Sequence, residues 1–252
     1  MNPSPAPDMG KVYDNFAEKF AEADKLPSWR YVGKPAMERL LSPHMQPGVK
    51  FLDLGSASGR VEVGVLLPGG VKPGDITGVE ISPEQVAMAK ERIPGAKFVV
   101  GDISSPNLPE MLGDTFDVVF SHMVFEHVSD EQFAQVCDNV RRLLKPAGIF
   151  AFVVTHPDKM TDLNDNLVTH YGAFKTTAPW GGVLDNWRRS VEDTKSLVRK
   201  AGFNIGLVEE LSFPTEPPAN LNSEDLAAFE KSSANYRRYP AIRLALKATR
   251  LG

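Results

Sequence analysis

With 252 residues, 42% of them hydrophobic and 24% charged, the chain is long enough to bury a large core as one α/β unit or two smaller ones. A formal net charge of -4 speaks against a nucleic-acid-binding body. The one cysteine, Cys137, excludes an internal disulfide framework and fits a reducing compartment, and no apolar run approaches the ~18 residues of a membrane span.

The first residues, Met1-Asn2-Pro3-Ser4-Pro5-Ala6-Pro7, lack the charged and apolar regions of a secretory leader, so a cytoplasmic location is expected. Residues 1–9 are Pro-rich and read as extended. An amphipathic helix is predicted from Gly10 to about Ala23, with Val12, Phe16 and Phe20 on one stripe. Pro27-Ser28 breaks it, and a second helix covers Gly33 to Leu41, ending before Ser42-Pro43. This helical pair either covers an open face of the body or forms a lid over a ligand, with Tyr13 and Trp29 as contacts.

The stretch Phe51-Leu52-Asp53-Leu54-Gly55-Ser56-Ala57-Ser58-Gly59-Arg60 reads as a buried strand, a small-residue turn and a helix start. Gly55 and Gly59 bracket three small residues, so backbone can approach a ligand closely. A dinucleotide loop has no use for an acid beside its pyrophosphate. Asp53 therefore points to a positively charged ligand, such as one with an amino-acid ammonium group.

A helix is then expected from Arg60 to Leu67, and a second strand over Ile76–Ile81 that carries Glu80. Ser82-Pro83-Glu84-Gln85 starts a helix that runs to Arg92. Lys97–Val100 is a third strand, followed by Gly101-Asp102, and Phe116–Phe120 a fourth. Ser129 to Gln132 repeats the capping pattern and opens a helix through Leu144, after which Ile149–Val154 makes a fifth strand. Repeated alternation calls for a doubly wound α/β fold, with a parallel sheet, helices on both faces, and binding at the carboxyl ends of the strands. Asp53, Glu80 and Asp102 then share one rim. Glu80 can accept both hydroxyls of a ribose, and Asp102 an exocyclic adenine amine, with the Ile103 backbone beside it.

The segments Asp53-Leu54-Gly55-Ser56-Ala57-Ser58-Gly59, Val79-Glu80-Ile81-Ser82, Val100-Gly101-Asp102-Ile103, Asp117-Val118-Val119-Phe120-Ser121, Phe125-Glu126-His127-Val128 and Leu143-Leu144-Lys145-Pro146-Ala147-Gly148 resemble the class I S-adenosylmethionine-dependent methyltransferases. Tyr13-Asp14 with Ala17 resembles the N-terminal helix of their ubiquinone-biosynthesis-like branch. Ala57 departs from the pattern, since the family often has glycine there. The resemblance implies a Rossmann-like seven-stranded sheet, mostly parallel with its last strand antiparallel. Residues 203–214 would supply the sixth strand; the alternation at Ile242, Leu244 and Leu246 fits the seventh, though it also fits a helix. It further implies residues 1–45 as a helical lid, 46–252 as the methyltransferase domain, and about 155–189 as a substrate-covering insertion. S-adenosyl-L-methionine is the implied cofactor and S-adenosyl-L-homocysteine the product. The implied cofactor residues are Tyr13, Asp53, Gly55, Ser56, Ala57, Gly59, Glu80, Ile81, Asp102, Ile103, Ser121 and His122.

Such an enzyme transfers a methyl group to oxygen, nitrogen or carbon, and needs a base only when the acceptor arrives protonated. His127 and His156 are the candidate bases, with ordinary pKa values near 6.5. The insertion is long for a plain connection. With Trp29, its His170, Tyr171, Trp180 and Trp187 are candidate substrate contacts, though core packing explains the aromatics equally well. A small-molecule substrate is expected, with no nucleic acid, membrane or metal partner, and a monomer or homodimer. One rival is an NAD(P)-dependent short-chain-dehydrogenase-like enzyme, since Tyr171-Gly172-Ala173-Phe174-Lys175 matches Y-x-x-x-K. The loop at Asp53 departs from that family's N-terminal glycine pattern. A cyclopropane-synthase-like methylene transfer, suggested by Phe125-Glu126-His127, and a non-catalytic S-adenosylmethionine-binding protein are the others.

Overall fold

A computed structural model describes residues 9–252; the Pro-rich stretch before Met9 and the side chains of residues 20–23, Phe20 among them, lie outside what is described. The N-terminal part is α1 (Met9–Asn15) and α2 (Ala17–Ala21), a 3-10 turn at Glu22–Lys25, a π-helical turn at Trp29–Gly33, and α3 (Lys34–Leu41). The continuous helix expected from Gly10 to Ala23 is thus divided at Phe16. From its amphipathic stripe Phe16 packs on Trp180, with ring centroids 5.2 Å apart, and the neighbouring Ala17 is buried.

The body follows as β1 (Phe51–Leu54), β2 (Ile76–Glu80), α4 (Pro83–Arg92), β3 (Lys97–Val100), α5 (Leu108–Leu112), β4 (Phe116–His122), α6 (Asp130–Leu143), β5 (Leu144–Thr155), β6 (Gly172–Thr177), β7 (Val183–Arg188), α7 (Val191–Lys200), β8 (Phe203–Leu211), α8 (Ser223–Tyr236) and β9 (Arg243–Arg250). One seven-stranded sheet has the order β3-β2-β1-β4-β5-β9-β8. The first five are parallel, and β9 runs antiparallel to both of its neighbours. This is the Rossmann-like methyltransferase fold, and the alternation at Leu244 and Leu246 belongs to a strand, with Ile242 just before it. β6 and β7 form a separate antiparallel hairpin inside the 155–189 insertion.

The residue pattern explains the layering. β1 is buried along its whole length, and its alternate side chains enter different cores. Leu52 and Leu54 pack with Phe133, Val140 and Val198 under α6 and α7; Phe51 packs with Met37, Leu40 and Val65 on the opposite face. Two starts follow the sequence reading. Ser82 caps α4 by accepting from Gln85 N, and Ser129 with Gln132 forms a reciprocal capping box at α6.

The helix expected after Gly59 runs from Arg60 to Leu66, with Glu62–Leu66 wound as a π-helix before Pro68-Gly69-Gly70 ends it. One boundary differs from expectation. β5 begins at Leu144 because that residue pairs with Phe116; the register with β4 then shifts before resuming at Val118 and Ile149, across the turn where Ala147 has φ 60°.

Candidate functional site

The parallel strands end on one rim, and a cavity of about 410 Å³ lies above it, between the loops after β1, β2, β3 and β4 on one side and α1 with the β6–β7 hairpin on the other. A volume of this order suits a small molecule. Asp53, Gly55, Ser56, Ala57, Glu80, Ile81, Asp102, Ile103 and His122 all line it, as do Tyr13, Trp29, His127 and Trp180.

The first turn packs closely against the segment after β4. Gly55 has φ +80°, and a Cβ there would stand 2.4 Å from Val124 Cγ2, so only glycine fits. Ala57 sits at φ 46°, a left-handed conformation that costs an alanine about 1–2 kcal/mol. Its N–H donates to Glu80 Oε2 at 3.0 Å, while Ser82 N donates to Oε1 at 2.9 Å. Those bonds fix the Glu80 carboxylate at the cavity wall. Burial pushes its pKa up, against the lowering effect of the backbone donors.

Asp53 is 2% exposed, lies on the cavity wall, and has Oδ1 without a hydrogen-bond partner. Behind it stands Glu62, fully buried, with neither carboxylate oxygen partnered. Burial and the mutual proximity of the two acids raise the Asp53 pKa; burial lifts Glu62 to about 7. Two carboxylates that cannot both ionise cheaply hold a proton between them, and an arriving cation favours its release. The Glu62 position carries the signal of a charged residue on the inward stripe, between Val61 and Val65, which an apolar count passes over. Asp102 is at the solvent edge and accepts from Ser104 N and Oγ at 2.8 and 2.7 Å.

The N-terminal segment is fastened over this rim. Asp14 accepts from Ser82 Oγ, and Asp24 bridges Arg60 and Arg92, both at 2.6 Å. Tyr13 OH reaches His127 Nε2 at 3.1 Å, and the Tyr13 and Trp180 rings are 5.5 Å apart. His127 Nδ1 faces the Asp185 carbonyl at 3.2 Å. A carbonyl only accepts, so Nδ1 carries the proton and Nε2 accepts from the tyrosine. Both ring nitrogens are therefore engaged, and His127 holds α1 to the β7 strand. It can act as a base only after Tyr13 lets go.

Six sequence-predicted residues do not line the cavity. Gly59 turns the chain at φ +82° beneath Ile93, serving the shape of the loop from behind. Ser121 is buried in the sheet and donates to Leu54 O at 2.7 Å, tying β4 to β1. His156 is 3% exposed, accepts from Asp158 N at 3.2 Å, and faces Glu210 at 3.5 Å, which makes it a turn cap at the far side of β5. His170 Nε2 is bound to Ala173 O on the exposed start of the hairpin. Tyr171 is 61% exposed and lies against Arg188. Trp187 Nε1 donates to Asp130, clamping the hairpin to α6. Pairing of Lys175 with Asp185 across the hairpin leaves Tyr171 and Lys175 on a surface strand, so the dehydrogenase-like pattern makes no site.

In their place the insertion contributes Lys159, Met160, Phe174, Thr176, Ala178 and Leu184 to the cavity, and the C-terminal segment adds Tyr236 and Arg243. Glu126 also lines it, 4% exposed, with Oε1 accepting from Thr155 Oγ1 at 3.0 Å and Oε2 unpartnered. Burial and the nearby cations Arg60 and Arg243 hold the His122 pKa well below its usual value, so its imidazole is neutral, edge-on to Trp29 at 4.9 Å.

Residues 52–152 match the family model described as a methyltransferase domain. These residues form a methyltransferase domain, and the fold built around them is that of class I S-adenosylmethionine-dependent methyltransferases. A methyltransferase of Synechocystis described as uncharacterized is 29% identical over 161 residues, 64% of this chain and 69% of that protein. A juvenile hormone acid O-methyltransferase of Drosophila melanogaster is 28% identical over 167 residues, 64% of this chain and 50% of that protein. The crystal structure of an S-adenosylmethionine-dependent methyltransferase from Mesorhizobium loti superposes with a TM-score of 0.62 at 20% identity, covering 89% of this chain and 98% of that one. S-adenosylmethionine is the cofactor of this methyltransferase family, and the residues present fit it. Asp53, buried with Oδ1 unpartnered, suits an ammonium group, and Glu80 on the same wall suits ribose hydroxyls. No helix among the described residues is long and apolar enough to cross a membrane.

Proposed function

We propose that the protein transfers a methyl group from S-adenosylmethionine to a small organic acceptor bound between α1, the β6–β7 hairpin and the rim of the sheet. The observation that carries this reading is the Asp53 carboxylate, buried on the same wall as Glu80 with its Oδ1 left without a hydrogen-bond partner. Ionising an acid that is buried beside Glu62 is costly, and a cationic amino-acid tail offsets that cost. Glu80 would hold the ribose hydroxyls, and Asp102 with Ile103 the adenine. The sulfonium activates its own methyl group for in-line displacement, so the protein's share is alignment and exclusion of water.

That share falls to named residues. Tyr13 and Trp180 shut the cavity over the rim, and the Tyr13–His127 bond holds α1 in place, which supports reading residues 1–45 as a lid and about 155–189 as a substrate cover. His127 takes no part as a base while that bond stands. The volume of the cavity, about 410 Å³, favours a small molecule over a polymer. Calorimetric titration with S-adenosylhomocysteine and with NADPH tests the cofactor, and transfer of radiolabelled methyl from S-adenosylmethionine into metabolite extracts tests the reaction. Heat with the nucleoside, none with NADPH, and a labelled small product are expected. Binding of NADPH alone would overturn the reading, and cofactor binding with no labelled product would leave a binding protein in its place.

A further inference from the structure

Across the cavity from the carboxylates, the wall changes sign. Arg243, at the first position of β9, is 6% exposed; its Nη1 donates only to the carbonyl of Ile242, and its Nε has no hydrogen-bond partner. Lys159, in the turn after β5, lines the same end, with Nζ 5.2 Å from the centre of the Tyr236 ring and no ion pair to a described residue. Glu126 is the one buried acid among the cavity-lining residues at this end, and it is already bonded to Thr155 through one oxygen. Of the other charged groups nearby, Arg60 shares Asp24 with Arg92, and Arg238 pairs with Asp165. Two cations against one carboxylate leave one positive charge without a partner among buried groups, a costly arrangement unless a ligand supplies the anion. The remaining wall there is apolar, with Met160, Phe174 and Leu184.

We propose that the acceptor is an organic carboxylate, its acid group held by Lys159 and Arg243 and its apolar body by the β6–β7 hairpin. The inference rests on the methyltransferase reading of the cavity and names the substrate class it takes. One surplus positive charge matches a monoanion better than a phosphate dianion. The apolar lining asks for a hydrocarbon or aromatic body next to the acid, and Arg243 offers the planar donor fork that carboxylates fill. Burial and the neighbouring Arg243 lower the Lys159 pKa to about 7, against Glu126 and Asp165, which raise it. An arriving carboxylate therefore finds an ammonium that is only partly protonated at neutral pH, and fixes its proton by pairing with it.

The test uses the full chain saturated with S-adenosylhomocysteine, titrated calorimetrically with matched pairs of a carboxylic acid and its primary amide: phenylacetate, 4-hydroxybenzoate and octanoate against phenylacetamide, 4-hydroxybenzamide and octanamide, with phenyl phosphate as a dianion. At least one acid should bind about tenfold or more tightly than its amide. That gap should close in Lys159→Met and persist in Lys159→Arg, with homocysteine-nucleoside affinity reporting that each variant is folded. No preference for any acid over its amide would overturn the inference, as would a preference that survives Lys159→Met, or phenyl phosphate binding above every acid. Absence of S-adenosylhomocysteine binding in the parent chain would defeat the methyltransferase reading itself. Cofactor bound without acid preference would defeat the carboxylate inference alone.

Discussion

The two ends of the cavity solve opposite electrostatic problems. At the rim of the sheet, Asp53, Glu62 and Glu80 are buried with carboxylate pKa values pushed up. At the other end, Lys159 and Arg243 are buried with theirs pushed down. In both places burial penalises the charge, and in both the penalty is left standing for a ligand of opposite sign to relieve. The rim is made by parallel strands, whose ends are fixed by sheet pairing and so arrive in register. The basic end is assembled from a turn after β5 and the first residue of an antiparallel strand, which only the completed fold brings together.

The largest effect expected from breaking this contrast is at the rim. Asp53→Asn removes the charge facing the cofactor tail and should weaken S-adenosylhomocysteine binding by about 30-fold, or ~2 kcal/mol, the size of a hydrogen bond to a charged group. Because it also removes one of two crowded acids, thermal unfolding of the ligand-free variant should occur no lower than in the parent. A large fall in melting temperature would show that Asp53 is held by structure and not kept for a ligand.

The pH dependence is the next sharpest. Glu62 and Asp53 are raised in the folded state, so their contribution to stability is fully present below the unfolded carboxylate values and is lost as pH rises through the folded ones, about 7 for Glu62. A cationic tail favours the ionised pair, so affinity for S-adenosylhomocysteine should climb from pH 5.5 toward about 7 and then level off, by at most about tenfold per pH unit for one proton. Calorimetry in buffers of different ionisation enthalpy should register proton release over that range, and proton uptake would contradict it.

Smaller effects belong to the lid and the loop. Tyr13→Phe removes the bond to His127 at a cost of about 1 kcal/mol, and should raise the rate of amide hydrogen exchange in residues 9–21 while leaving the sheet unchanged. Ala57→Gly relieves the left-handed backbone at φ 46° and should stabilise the chain by up to about 1 kcal/mol in chemical denaturation, offset in part by added freedom of the unfolded chain.

The same contrast sets how much was legible in the sequence. Asp53 before Gly55, Glu80 at the end of an apolar strand and Asp102 after Gly101 carry short-range patterns, and the alternation of strands and helices fixes where their strands end. Ser121 and Gly59 share that local pattern yet face the sheet interior and the outer helix, because position along a strand does not give the direction of a side chain. The aromatic-rich insertion misled for a related reason. His170, Tyr171 and Trp187 lie on a hairpin that shows Phe174 and Leu184 to the cavity instead, and alternation along two short strands decides which faces in. Lys159 carries no local signal, and Arg243 appears as a polar interruption among Ile242, Leu244 and Leu246 whose meaning depends on pairing with Thr155 across the sheet.

The most direct measurement is a calorimetric comparison of S-adenosylhomocysteine with its analogue lacking only the amino group, in the parent chain and in Asp53→Asn. The carboxylate rim predicts that the parent loses about 30-fold in affinity with the analogue, and that the variant binds both ligands almost equally. Equal affinity in the parent, or a gap undiminished in the variant, would contradict it.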